Sequence, residues 1–153
     1  MFVLDTNVAS ELMRPAPSTA VTKWIADRNA KELFLTAVSE AELRYGIAIM
    51  PAGRRRNALE AAMTRWLNQG FGKRVLPFDS AAARAYAKIA ADRRHAGRPI
   101  SEADCRIAAI SRSNGAVLVT RNVRDFESAG IALIDPWSDS RWRHPGNTDA
   151  HDR

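Results

Sequence analysis

Met1-Phe2-Val3-Leu4-Asp5-Thr6-Asn7 opens the chain. Three apolar residues stop at an acid followed by two small hydrogen-bonding residues, the pattern of a short buried strand ended by turn chemistry. In a parallel sheet, Asp5 then stands at a strand's carboxyl end, the edge where open α/β sheets gather ligands. A local role competes with this one, because Asp commonly N-caps the turn or helix that follows. The rest of the chain sets the balance.

Outward from that stretch, a helical turn through Val8, Leu12 and Met13 runs into Arg14-Pro15-Ala16-Pro17, which breaks it. Ser18 is placed to N-cap a helix through Val21, Trp24 and Ile25, and Leu33-Phe34-Leu35-Thr36 reads as a second strand. Ser39 and Glu42 have the spacing of a capping box ahead of Leu43, Ile47 and Met50. Pro51 closes that helix, and another spans Gly53 or Arg54 to Gln69, making a helical hairpin in which Arg54-Arg55-Arg56 reads as a solvated face or, alternatively, as a contact for phosphate or an acidic partner. Val75-Leu76-Pro77-Phe78 is a third strand at a sheet edge. Asp79 caps a helix with Ala82, Tyr86, Ile89 and Ala90 inward, ending near His95. Ser101 and Asp104 open another through Ile107 and Ile110, stopped at Asn114-Gly115. Ala116 to Thr120 is short and nearly all apolar, as a strand buried on both faces should be. Ile131 to Ile134 is the last strand. Strands alternating with helices predict βαβ units, hence an α/β fold with a mainly parallel sheet. Residues 1–137 form one domain, and the polar tail 138–153, with His144 and His151, is expected to be mobile.

At 153 residues the chain suits one domain with a substantial core. Lys plus Arg number 23 against 17 Asp plus Glu, a net charge of +6 that favours polyanionic partners without requiring them. The single Cys105 excludes an internal disulfide framework and suits a reducing cytoplasm. No apolar run approaches the roughly 18 residues of a membrane span, so a soluble cytoplasmic protein with no membrane partner is expected.

Asp5, Glu42 and Asp104 share one kind of position, a strand end or a helix start. Taken singly, Glu42 and Asp104 read as capping residues. Taken together, strand-to-helix loops at one sheet edge bring all three toward one cleft, with Asn122 and Asp125 beside them. Carboxylates gathered this way repel one another unless a cation compensates them. An all-oxygen donor set suits Mg²⁺ or Mn²⁺, which can activate water against a phosphoryl group.

Four fragments in this order resemble the PIN-domain family. They are Leu4-Asp5-Thr6-Asn7, Ser39-Glu40-Ala41-Glu42-Leu43 with Tyr45-Gly46, Ala103-Asp104 before Ile107-Ala108-Ala109, and Thr120-Arg121-Asn122 before Asp125-Phe126. The likeness is greatest to VapC/FitB-type toxins of bacterial type II toxin–antitoxin pairs. The resemblance implies a three-layer α/β/α fold with a four- or five-stranded sheet and a Mg²⁺- or Mn²⁺-dependent endoribonuclease. It also implies a homodimer, for which the helices of Trp24 and Trp66 are the proposed support, and a small antitoxin as partner. Asp5, Glu42 and Asp104 match the family's core acids and are the expected metal ligands. Thr6, Asn7, Thr120 and Arg121 are expected to line the RNA, with Asn7 also orienting Asp5; for Arg121 a plain surface role competes. Many family members carry an acid where this chain has Asn122, and Asp125 follows three residues later, which favours one tightly held ion over two.

The resemblance therefore implies hydrolysis by water, leaving 5′-phosphate and 3′-hydroxyl ends. A haloacid-dehalogenase-type phosphatase also starts with a strand ending in Asp, but needs a second Asp where this chain has Asn7. The stronger rival is a PIN-like module that binds nucleic acid or protein without cutting. His95 and Cys105 form no site with neighbours in sequence.

Overall fold

The computed structural model describes residues 1–138. Five strands and seven helices alternate in it: β1 (Phe2–Leu4), α1 (Thr6–Leu12), α2 (Thr19–Ala26), β2 (Leu33–Thr36), α3 (Ala37–Ala48), α4 (Arg54–Gly70), β3 (Val75–Leu76), α5 (Ser80–His95), α6 (Glu102–Ser113), β4 (Val117–Val119), α7 (Val123–Phe126) and β5 (Ala132–Ile134). The strands make one sheet in the order β3-β2-β1-β4-β5, and every pairing is parallel. The two-residue β3 is an edge strand ended by Pro77, which lacks the N–H that an interior position would require. The expected mobile tail falls, from residue 139 onward, outside the described residues.

Alternation along the strands builds the three layers. Val3, Leu118 and Leu133 pack with Ile89, Cys105, Ile107 and Ala108 of α5 and α6. Their neighbours Leu4, Val119 and Ile134 point the other way, into a cluster with Val8, Val21, Trp24, Met63 and Leu67 of α1, α2 and α4. Successive strand side chains face opposite sides, so an all-apolar strand must be covered twice. Trp24 is 6% exposed, with its ring edge-on to Phe2, and Trp66 packs edge-on against Phe71. The Trp24 indole is thus used inside the fold, where it completes the cover over β1.

Two helix starts differ from the sequence expectation. Ser18 occupies the N-cap position of α2 but makes no side-chain cap bond; its own N–H donates to Glu11 Oε1 at 2.7 Å. More consequentially, α3 follows β2 without a loop. Thr36 is its N-cap, accepting from Ser39 N–H at 3.0 Å, while Ser39 lies in the first turn and is buried. Nothing in Ala37-Val38 interrupts a helix, so it starts two residues before the serine and is capped by the residue three before it. Glu42 is then in the second turn, where no capping box can use it. Thr36→Ala is expected to lower stability by about 1–2 kcal/mol, in the range of N-cap deletions. Urea unfolding with no such loss would return the cap to Ser39. At α4, Gly53 takes φ +154°, which explains a glycine directly before the arginines.

The strand order places β1 centrally. The chain steps outward from β1 to β2 and β3, then crosses back through α5 and α6 to β4 on the other side of β1. Loops leaving β1 and β4 therefore diverge, opening a crevice at the carboxyl edge, the topological switch point of the sheet. Asp5 and Thr120 stand there.

Candidate active site

Asp5 is 4% exposed and serves both readings at once. It N-caps α1, with Oδ1 accepting from Thr6 N–H at 2.7 Å, and it ends the central strand. Its second oxygen, Oδ2, accepts from the Thr120 hydroxyl at 2.7 Å. Thr120 Oγ1 in turn accepts from Asn122 N–H at 3.0 Å and from Asn7 Nδ2 at 3.4 Å. This corrects two expectations. Thr120 is fully buried and committed to Asp5, so its side chain is not free to line RNA. Among the described hydrogen bonds the Asn7 side chain makes none to Asp5: it bridges to Thr120 and to Arg121 N–H, at 3.4 Å each, and reaches the acid through Thr120. Parallel pairing of Leu4 with Val119 is the reason, since it sets the residues that follow these two side by side.

Glu42 is reached through hydroxyls. Thr6 Oγ1 lies 2.9 Å from Ser39 Oγ and donates to Glu42 Oε1 at 3.3 Å, while Thr36 Oγ1 is 3.3 Å from Ser39 Oγ. Each hydroxyl has one proton. The run that satisfies all of them passes from Thr36 to Ser39 to Thr6 and ends on the carboxylate. The buried Ser39, read in the sequence as a cap, is a link in this chain. Its signal was available, as a serine one helical turn before an acid on the same face.

Asp104 sits in the first turn of α6, whose N-cap Ser101 accepts from the Asp104 N–H at 3.2 Å. Here the capping reading holds for the serine. The Asp104 carboxylate is tied to the other acids by charge. Asp5 is raised to about 6, chiefly by burial, with the Thr120 and Thr6 bonds opposing and the charges of Asp104 and Glu42 adding to the rise. Burial likewise raises Glu42, opposed by the Thr6 hydroxyl and assisted by Asp104. Asp104 is raised by burial, opposed by Ser101, raised again by Asp125 and lowered by Arg93. The acids thus sense one another across the crevice. Asn122 and Asp125 are exposed at its rim, and Arg121, also exposed, lays its guanidinium 5.0 Å from the ring centroid of Trp137. Cys105 is buried, its thiol directed at the Tyr86 carbonyl at 3.8 Å, in keeping with a packing role.

Among the described residues, no three acidic, histidine or cysteine side chains converge closely enough to hold a metal ion as they stand. The chemistry of the donors nevertheless fits a hard cation. All are carboxylate oxygens, and each of the three acids carries an unfavourable charge that a cation would relieve. An ion completing its shell with water needs no closed protein cage.

The chain matches the PIN domain over residues 2–131. It belongs to the PIN-domain family. Within that family it is of the VapC/FitB toxin type. It is 42% identical over 137 residues to the VapC ribonuclease Y4jK of Sinorhizobium fredii, covering 90% of this chain and 98% of that protein. It is 35% identical over 139 residues to the toxin FitB of Neisseria gonorrhoeae, covering 91% of this chain and all of that protein. The crystal structure of FitAcB from the same organism superposes with a TM-score of 0.84, covering 90% of this chain and 99% of that one. The five-stranded parallel sheet of this PIN domain meets the expected three-layer architecture. Among its described residues no helix is long and apolar enough to cross a membrane.

Proposed function

We propose that this PIN domain is the toxin of a type II toxin–antitoxin pair and acts as a Mg²⁺-dependent endoribonuclease, with Mn²⁺ an effective substitute. The observation that carries the reading is the gathering of Asp5, Glu42 and Asp104 at the switch point of the sheet, each raised by burial and by a neighbouring acid's charge. Asp5 and Asp104 hold the cation, and Glu42 completes the set. Bound there, Mg²⁺ supplies polarisation of a phosphoryl oxygen and lowers the pKa of a neighbouring water. Glu42, above the usual carboxylate range, is poised to accept a proton from the attacking water. The Thr6 hydroxyl orients it, and Thr120 and the Thr6 N–H fix the plane of the Asp5 carboxylate. Attack by water rather than by the RNA's own 2′-hydroxyl gives 5′-phosphate and 3′-hydroxyl ends. Arg121, exposed beside the crevice, is the residue best placed to meet the RNA backbone. The net charge of +6 draws in a polyanion that the acids alone would repel.

The substrate class is structured RNA, tRNA included, and the setting is the cytoplasm. The relatives' names support the nuclease chemistry, and the solved FitAcB and FitAB assemblies support a small antitoxin as partner. Retention of all three acids favours this reading over a PIN-like module that only binds.

The test is cleavage of total RNA by inhibitor-free protein, with its mass in solution established by light scattering. Twice the 16.9 kDa chain mass is expected for a homodimer. Discrete cuts with Mg²⁺ or Mn²⁺ that vanish with chelator and in Asp104→Ala support the proposal. Cuts that survive chelator would refute it, and a monomer at high concentration would remove the dimer.

A further inference from the structure

The inward stripe of α5 ends on a charged residue. Ala82 and Ile89 are buried on it, and Arg93, four residues after Ile89, is 6% exposed. A buried guanidinium must find acceptors for its donors, and among the described residues Arg93 makes no ion pair. Its acceptors are backbone carbonyls. Nε donates to Arg98 O at 2.7 Å, and Nη1 donates to Asp125 O at 2.9 Å and to Glu127 O at 2.8 Å. The Arg93 carbonyl also accepts from Arg98 N–H at 2.9 Å, closing a turn in which Gly97 takes φ +69°.

These carbonyls belong to the two segments that frame the crevice. Arg98 begins the stretch leading through Ser101 into α6 and Asp104. Asp125 and Glu127 end the short turn that starts at Asn122. Among the described hydrogen bonds and ion pairs, one other contact joins these segments, the exposed Arg98–Glu127 pair at 3.6 Å. An exposed pair at that distance is weak and screened by salt. The guanidinium's rigid fork is the buried cross-link.

We propose that Arg93 is a positioning residue of the nuclease site, fixing the α6 entry that carries Asp104 against the α7 turn that carries Asn122 and Asp125. The inference rests on the nuclease reading for its catalytic consequence, but the cross-link itself does not. Lysine keeps the charge but, as a point donor on a flexible stem, cannot reproduce the fork across two segments. Glutamine keeps a planar donor and loses the charge.

The experiment compares wild type, Arg93→Lys, Arg93→Gln and, as a control destabilised in the same helix, Ile89→Val. Amide hydrogen exchange, Mn²⁺ binding by electron paramagnetic resonance, and RNA cleavage are measured on each. The folded Lys variant is expected to exchange at least about tenfold faster over residues 122–125. Its Mn²⁺ affinity should weaken about fivefold or more, and its kcat should fall about tenfold or more while KM stays within about twofold. Ile89→Val should lower the melting temperature yet keep wild-type Mn²⁺ affinity and kcat. Wild-type exchange and Mn²⁺ affinity in both Arg93 variants would overturn the proposal, as would failure of both to fold at 25 °C, which would make Arg93 a core residue only. Wild-type protein that neither binds Mn²⁺ nor cuts RNA would instead refute the nuclease reading.

Discussion

Asp5→Asn protein is expected to lose RNA cleavage by about a thousandfold or more in kcat/KM, equivalent to about 4 kcal/mol of transition-state stabilisation, while becoming more stable than wild type without metal at pH 7.5. The two effects have one cause. Asp5 is almost wholly buried and its pKa is raised from 3.8 to about 6, first by burial and then, against its two hydrogen bonds, by the charges of Asp104 and Glu42. The folded metal-free protein therefore holds this proton more tightly than the unfolded chain does. The resulting stability is fully present below pH 3.8 and is lost as pH rises through about 6. A gap of about two pKa units corresponds to about 3 kcal/mol at most. Asparagine cannot ionise and still accepts from Thr6 N–H at the N-cap, so it removes that loss, offset in part at the Thr120 bond, because its Nδ2 is a donor where Oδ2 accepted. Chemical unfolding of both proteins at pH 4 and pH 7.5 in chelator checks this. The wild-type disadvantage should grow with pH, and equal stability at both values would mean the crevice does not desolvate Asp5. Saturating Mn²⁺ should reverse the order by stabilising wild type alone.

Thr120→Val tests the second half of the same arrangement. Valine fills the threonine's volume but removes the hydroxyl that donates to Asp5 Oδ2 and accepts from Asn122 N–H and Asn7 Nδ2. A buried acceptor left unpaired costs about 1–3 kcal/mol, and more when it is charged. We expect a stability loss of about 2–3 kcal/mol at pH 7.5 and a fall in kcat of about a hundredfold, the size reported for loss of one preorganising hydrogen bond in other active sites. KM for RNA should change less than threefold. A variant with normal kcat and a large rise in KM would restore the reading of Thr120 as an RNA contact.

What was legible in the chain, and what was not, follows from the range of the forces involved. Phe2–Leu4 and Ala116–Thr120 announce buried strands because their apolar runs are local, and the structure trims the second only to Val117–Val119. Ser101 and Asp79 announce helix starts because an N-cap bond spans only three residues. Ser39 misled for the same reason: Thr36, three positions earlier, offers the same chemistry, and spacing alone does not rank two hydroxyls. The Thr120 bond to Asp5 joins residues 115 apart in sequence, and no local pattern encodes it. Arg93 stood on the inward stripe set by Ala82 and Ile89, so a charge at a core position was its visible signal.

By itself the sequence determined the alternation of strands and helices, and it placed Asp5 at a strand end and Asp104 in the first turn of a helix, whereas Glu42, expected at a helix start, lies in the second turn of α3. Periodicity and capping are near-neighbour effects that a linear reading captures. The tertiary structure alone decided which groups hold those acids. Parallel register put Thr120, rather than Asn7, on Asp5, and the run of hydroxyls from Thr36 led to Glu42. It also decided that Arg93 spans two segments. Partners for buried polar groups are chosen by whichever donors and acceptors packing brings within reach, and that choice exists only once the chain has folded.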